Sequence, residues 1–132
     1  MSDIDVARNG VTTARVMSAV RIAVGVGSLL APDLSGRIMG FPRDQVNASS
    51  RAMGRLFGIR EIALGALTLD AVQRNPADRR IYIANAAVDA TDGAVFAAAL
   101  FGRQGIPRAA LGSLLLAIPA AATWMKLAGE AG

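Results

Sequence analysis

The chain is expected to fold as an all-α, four-helix transmembrane bundle with up-down-up-down topology, on three observations. Four apolar segments, at about 12–31, 51–70, 77–102 and 107–126, each have roughly the twenty residues an α-helix needs to cross ~30 Å of hydrocarbon. Hydrophobic residues make up 53% of the sequence and charged ones only 18%, with a mean hydropathy of +0.41, all displaced from soluble averages. The segments are alanine-rich and lack the period-two alternation of a half-buried strand.

Residues 1–10 read as a polar N-terminal tail, and 11–128 as one membrane domain. Asp3 and Asp5 stand where a secretory signal would be basic. The apolar stretch after them holds Arg21 and ends at Ala31-Pro32-Asp33 without a small-residue cleavage site, so no signal peptide is expected. Pro32 closes the first segment and Gly40-Phe41-Pro42 breaks the connection beyond it; between them Leu34, Ile38 and Met39 suit a small amphipathic turn at the interface. Asn47, Ser49 and Ser50 offer N-caps to the second segment. Asn75-Pro76-Ala77-Asp78 combines a capping amide, a proline at the first helical position and an acid in the first turn. Gly105-Ile106-Pro107 opens the fourth segment with isoleucine, a poor cap. Pro119 is expected to bend that helix and free the carbonyl of Leu115.

The rival fold is a soluble all-α bundle, since only Ala109–Met125 is a long uncharged run. A soluble helix, however, shows a wide polar face with Glu and Lys at helical spacing. The fourth segment has almost none, and the 81–102 stretch has just Asp89 and Asp92. Tyr82 and Trp124 are expected at one membrane face, with Phe41 and Phe101 near the other, because amphipathic rings favour interfaces.

Net charge is +4, with Lys126 the single lysine and neither histidine nor cysteine present. Disulfides, thiol nucleophiles, imidazole bases and the usual zinc ligands are thereby excluded. No cofactor or metal is expected. Nucleic acid is not an expected partner either, because the arginines are scattered through apolar segments instead of forming a polar stripe interleaved with aromatics. They read as flanks at a lipid headgroup surface. Arg8, Arg15, Arg74, Arg79, Arg80 and Lys126 collect on one side, Arg37, Arg43, Arg51, Arg103 and Arg108 on the other, a balance that leaves orientation open. Four spans put both termini on the same side.

Arg21, Arg60, Glu61, Asp89 and Asp92 lie near the middle of their segments, where one Arg or Asp costs about 2.5–3.5 kcal/mol on insertion scales. Their spacing turns them inward. Ser18, Arg21, Gly25 and Ser28 share one face of the first helix. Gly54, Gly58, Glu61 and Gly65 share a face of the second, the glycines serving as helix-packing positions that let another backbone approach. Tyr82, Asn85, Asp89, Asp92 and Phe96 form a stripe on the third. The candidate intramembrane cluster is therefore Arg21, Arg60, Glu61, Asn85, Asp89 and Asp92. Its near-neutrality, closer still if Arg55 turns inward, suits charges removed from water. Such a cluster serves either as polar glue fixing helix register or as a functional site.

The order Ser35-Gly36-Arg37-Ile38-Met39-Gly40-Phe41-Pro42, Gly54-Arg55-Leu56-Phe57-Gly58-Ile59-Arg60-Glu61 and Val88-Asp89-Ala90-Thr91-Asp92 resembles a family of small bacterial proteins of unknown function, common in actinobacteria and expected to have four transmembrane helices. The resemblance runs over roughly 15–126 and implies a multi-pass protein of the bacterial inner membrane, without supplying an activity. Three function classes follow. The first is a structural or accessory membrane subunit. The second is a binder or carrier of a lipid headgroup or of a small molecule coupled to protons. The third is a membrane enzyme using Asp89, Asp92 or Glu61 as general acid or base on a lipid-soluble substrate; no catalytic residue is assigned. Membrane lipids are the expected partners, and a homo-oligomer or larger membrane complex is left open.

Overall fold

The computed structural model describes residues 2–131, which are helical apart from short turns, with no strand among them. Five α-helices follow in order: α1 (Asp3–Leu30), α2 (Pro32–Ile38), α3 (Ala48–Arg74), α4 (Arg79–Phe101) and α5 (Pro107–Glu130), with a 3-10 turn at Arg43–Gln45. Four are long, and α2 is a seven-residue insert with Pro32 in its first turn.

The polar stretch at the N-terminus is helical from Asp3. Ser2 and Asp5 form a reciprocal capping box, the Asp5 carboxylate accepting from the Ser2 backbone N–H and hydroxyl, which supplies two of the partners a helix start lacks. Asn47 and Ser50 do the same for α3. At the C-terminus of α2, Gly40 N–H donates to Arg37 and Phe41 N–H to Gly36, with Gly40 at φ +91°. This 6→1 and 5→2 pattern needs a left-handed residue and normally recruits glycine. The end of α4 repeats it with Arg103 at φ +51°.

Contacts fix the topology. Arg21 meets Glu61 while Gly25 faces Gly58 and Ser18 faces Gly65, so α1 and α3 are antiparallel. Thr68 pairs with Asn85 and Arg60 with Asp92, so α3 and α4 are antiparallel too. Gly93 faces Ala117 and Ile118 of α5, and Gly10 of α1 faces Leu127, closing a ring in the order α1, α3, α4, α5. The α1–α3 seam is the tightest. A Cβ built on Gly25 would lie 2.6 Å from the Gly58 carbonyl oxygen, and one on Gly58 would lie 2.5 Å from that of Gly25. Gly65 packs equally closely on Ser18, whereas Gly54 sits beside Pro32 of α2, 3.4 Å from its Cβ.

What is inside and what is outside is reversed relative to a soluble bundle. The buried face of α1 is Ala14, Ser18, Arg21, Gly25 and Ser28, and that of α3 is Gly58, Glu61, Gly65, Thr68 and Val72. Large apolar side chains point outward instead, among them Val20, Leu67, Val95, Leu115, Leu116 and Ile118. Water would oppose so much continuous exposed apolar surface; lipid does not, and helices in lipid meet through small and polar residues. The helices α1, α4 and α5 are long and apolar enough to cross a membrane. The α3 helix, with Arg51, Arg55, Arg60, Glu61, Asp70 and Arg74 along it, is not among them.

One end of the bundle is closed by a core of Ala14, Val72, Tyr82, Ala86, Trp124, Leu127 and Ala128. Tyr82 stacks on Trp124 with ring centroids 6.1 Å apart, and its hydroxyl donates to the Pro76 carbonyl at 2.9 Å. Trp124 is fully buried. Both rings lie at the same end of the bundle, and helical phase turns them toward its axis, where they plug it.

Candidate functional site

Beyond the Tyr82–Trp124 plug, one helical turn along, Asn85 of α4 is fully buried and donates to the Thr68 hydroxyl at 2.8 Å and to the Ile81 carbonyl at 2.8 Å. The next layer is ionic. The Arg21 guanidinium extends from the α1 seam and donates from Nη1 to Glu61 Oε2 and from Nη2 to Asp89 Oδ1, both at 2.6 Å. One side chain of α1 therefore ties α3 to α4. Its guanidinium carbon lies 5.9 Å from the Trp124 ring centroid, within range of a cation–π attraction, so α5 is engaged as well.

Arg60 continues the network outward. Its Nη2 donates to Glu61 Oε1 at 3.3 Å and to Asp92 Oδ2 at 2.5 Å, while Nη1 donates to Asp92 Oδ1 at 2.9 Å. The Asp92 contact is a bidentate fork, the stronger form of such a pair, and the Phe57 ring lies 5.1 Å from the guanidinium carbon. The chain Asp89–Arg21–Glu61–Arg60–Asp92 thus joins α1, α3 and α4 at one depth, and Asn85 stands one turn from it without contacting an ion.

The two halves of this network differ in surroundings. Side chains of Arg21, Glu61 and Asp89 are each 9% exposed or less, whereas Arg60 is 41% exposed and Asp92 24%. The reason is a cleft of about 620 Å³, bordered by α2, α3 and α4, with Arg60 and Asp92 on its wall. Met39, Met53, Leu56, Phe57, Val95 and Phe96 give it apolar sides. Towards the α2 end Asp33 and Arg51 border it and pair at 2.8 Å. The hydrogen bond from Arg51 holds the Asp33 carboxyl below its ordinary range, with Arg37 and Arg55 adding to the effect.

Five buried polar atoms take no protein hydrogen bond among the described residues: Arg21 Nε, Asn85 Oδ1, Asp89 Oδ2, Ser113 Oγ and Trp124 Nε1. Three of these, Arg21 Nε, Asn85 Oδ1 and Asp89 Oδ2, belong to the ion layer and the Asn85 layer. Of the three, Asn85 Oδ1 and Asp89 Oδ2 are acceptors and Arg21 Nε is a donor. No group of acids with metal-binding geometry occurs among the described residues.

Sequence periodicity located the charged stripes, but it offered no sign of the cleft or of the contact between Arg21 and Trp124. The cleft depends on how far α3 and α4 diverge, a property of packing elsewhere. No family model, characterised protein or solved structure matches the chain.

Proposed function

We propose that the protein is a four-span integral protein of the bacterial inner membrane, of the family its motifs resemble, and that its α3–α4 cleft holds an amphiphilic molecule drawn from the bilayer. The observation that carries this reading is the division of the ion network. Arg21, Glu61 and Asp89 are buried and serve the fold, whereas Arg60 and Asp92 border an apolar cleft whose volume of about 620 Å³ lies within the usual range for small-molecule sites. A fork already neutral within itself favours an uncharged polar group that both accepts from Arg60 and donates to Asp92, such as a hydroxyl or carboxylic acid. The apolar body of the ligand would lie along Met53, Leu56, Val95 and Phe96. A charged headgroup would have to displace one partner of the pair and strand the other.

Crossing by α3 fits this scheme. Its central charges cost several kcal/mol in lipid when alone, but Arg60 and Glu61 are partnered by α1 and α4, and its glycine face lies against α1.

Native mass spectrometry of the detergent-purified chain tests the proposal. Wild type is expected to retain a bilayer amphiphile, Asp92→Asn to lose it while melting within a few degrees of wild type, and Asp89→Asn to melt markedly lower while keeping it. Retention by Asp92→Asn and by Arg60→Gln alike would sink the cleft as the binding site.

A further inference from the structure

A second concavity lies at the α2 end of the bundle, apart from the cleft's ion pair. It is open, about 500 Å³ in volume, and lined by Arg37, Gly40, Phe41, Pro42, Arg43, Pro107 and Arg108. Its three arginines come from three separate elements: the last turn of α2, the 3-10 turn and the first turn of α5. None of the three makes an ion pair among the described residues, although Arg51, Arg60 and Arg74 each find a carboxylate. Asp44 is the sole acid in the 40–47 connection, and it does not line the concavity.

Three exposed arginines without a carboxylate partner border one concavity and give it a positive potential. The turn after α2 is what brings them together. Gly40, at φ +91°, lets the α2 turn pack onto α5 so closely that a Cβ there would lie 3.2 Å from the Ala109 nitrogen. The start of α5 adds to the positive field: Ile106 provides no side-chain cap, and unpaired N–H groups at a helix start favour anions. Arginine forks match the oxygens of a phosphate, and the concavity is at the start of α5, at an end of the bundle where a membrane headgroup layer would lie.

We propose that the Arg37–Arg43–Arg108 concavity binds a phosphate-bearing anion, bridging the α2 turn to the start of α5. The site shares only Phe41 with the α3–α4 cleft, lies apart from its Arg60–Asp92 pair, and takes the opposite class of ligand, a charged headgroup in place of a neutral polar one.

The test uses the full chain in detergent and in nanodiscs, with three probes: phosphatidylglycerol, zwitterionic phosphatidylcholine and inorganic phosphate. Lipid retention is read by native mass spectrometry and melting temperature by circular dichroism. Wild type is expected to retain phosphatidylglycerol in preference to phosphatidylcholine. The triple variant Arg37→Gln/Arg43→Gln/Arg108→Gln is expected to weaken that retention by about a hundred-fold, taking ~1 kcal/mol for each basic group. The control Arg8→Gln/Arg79→Gln/Arg80→Gln removes equal charge from the opposite end and should retain the lipid at near wild-type level. A rise in melting temperature with inorganic phosphate alone would identify a free anion as ligand; a rise with the lipid only would identify the headgroup. Equal losses in the two triple variants, or no preference in wild type, would overturn the proposal. If the triple variant does not fold, Arg108→Gln takes its place, and phosphatidylglycerol retention undiminished in it would count equally against the site. Asp92→Asn should leave phosphate binding unchanged, which separates failure here from failure of the cleft reading.

Discussion

Arg21 is the residue on which the interior depends. It satisfies one carboxylate on each of two helices and lies over an aromatic ring on a third, with its own side chain only 9% exposed. Arg21→Met would leave Glu61 and Asp89 buried without their cation, and removing one partner of such a pair costs about 3–5 kcal/mol. Arg60→Gln leaves a smaller deficit, because Glu61 keeps Arg21 and Asp92, 24% exposed, stands on the border of the cleft. Thermal unfolding of both variants in the same detergent measures the difference. A smaller loss for Arg21→Met than for Arg60→Gln would contradict the assignment of structural weight to the inner triad. The inward direction of these charges was legible from spacing, since Arg21 shares its helix face with Ser18, Gly25 and Ser28. Which charge pairs with which was not legible, because three carboxylates lie within plausible reach of either arginine until the helix separations are known.

At the scale of elements, the short α2 helix and its tie to α3 show where sequence reading loses resolution. Pro32 marked the end of α1, but it also starts α2, since proline suits a first helical turn as well as it stops a preceding one. The connection is held by Asp33 and Arg51, both half exposed. Asp33 has a folded pKa below its ordinary 3.8, so its contribution is complete above the unfolded value. It is lost as pH falls through the folded one. The α2–α3 tie should therefore weaken below about pH 4, on the arithmetic of a depressed carboxylate, and less distinctly at high salt, where exposed pairs are screened. Melting curves from pH 6 to pH 3 should show a smaller acid-induced drop for Asp33→Asn than for wild type; identical drops would mean that the acid-labile groups lie elsewhere. The tight α1–α3 seam was foreseeable from Gly58 and Gly65. The wide α3–α4 gap was not, because nothing in the spacing of either helix encodes a distance.

For the molecule as a whole, the arrangement of layers follows from which side chains lipid tolerates. Trp124 and Tyr82 plug one end, charges occupy the middle, and the cleft opens towards α2, while valine, leucine and isoleucine cover the outside. Composition made the exterior legible, and position along the chain brings Tyr82 and Trp124 to the same end of the bundle, where they stack; that Trp124 turns inward was not legible, because position along a helix does not give rotation about its axis. The remaining question of scale is whether α3 crosses, since by apolarity alone only α1, α4 and α5 suffice. Four crossings place the Arg43–Gln45 turn and the Asn75–Asp78 connection on opposite sides of the bilayer, whereas an α3 lying at the surface places them on the same side. Because the chain has no cysteine, Gln45→Cys and Ala77→Cys give single reporters without background. A membrane-impermeant maleimide applied to intact, oriented vesicles should label one of them and spare the other until detergent is added. Labelling of both from one side would show that the partnered charges of α3 are not enough to carry it across, and the ring of four antiparallel helices could not then exist in the membrane as drawn.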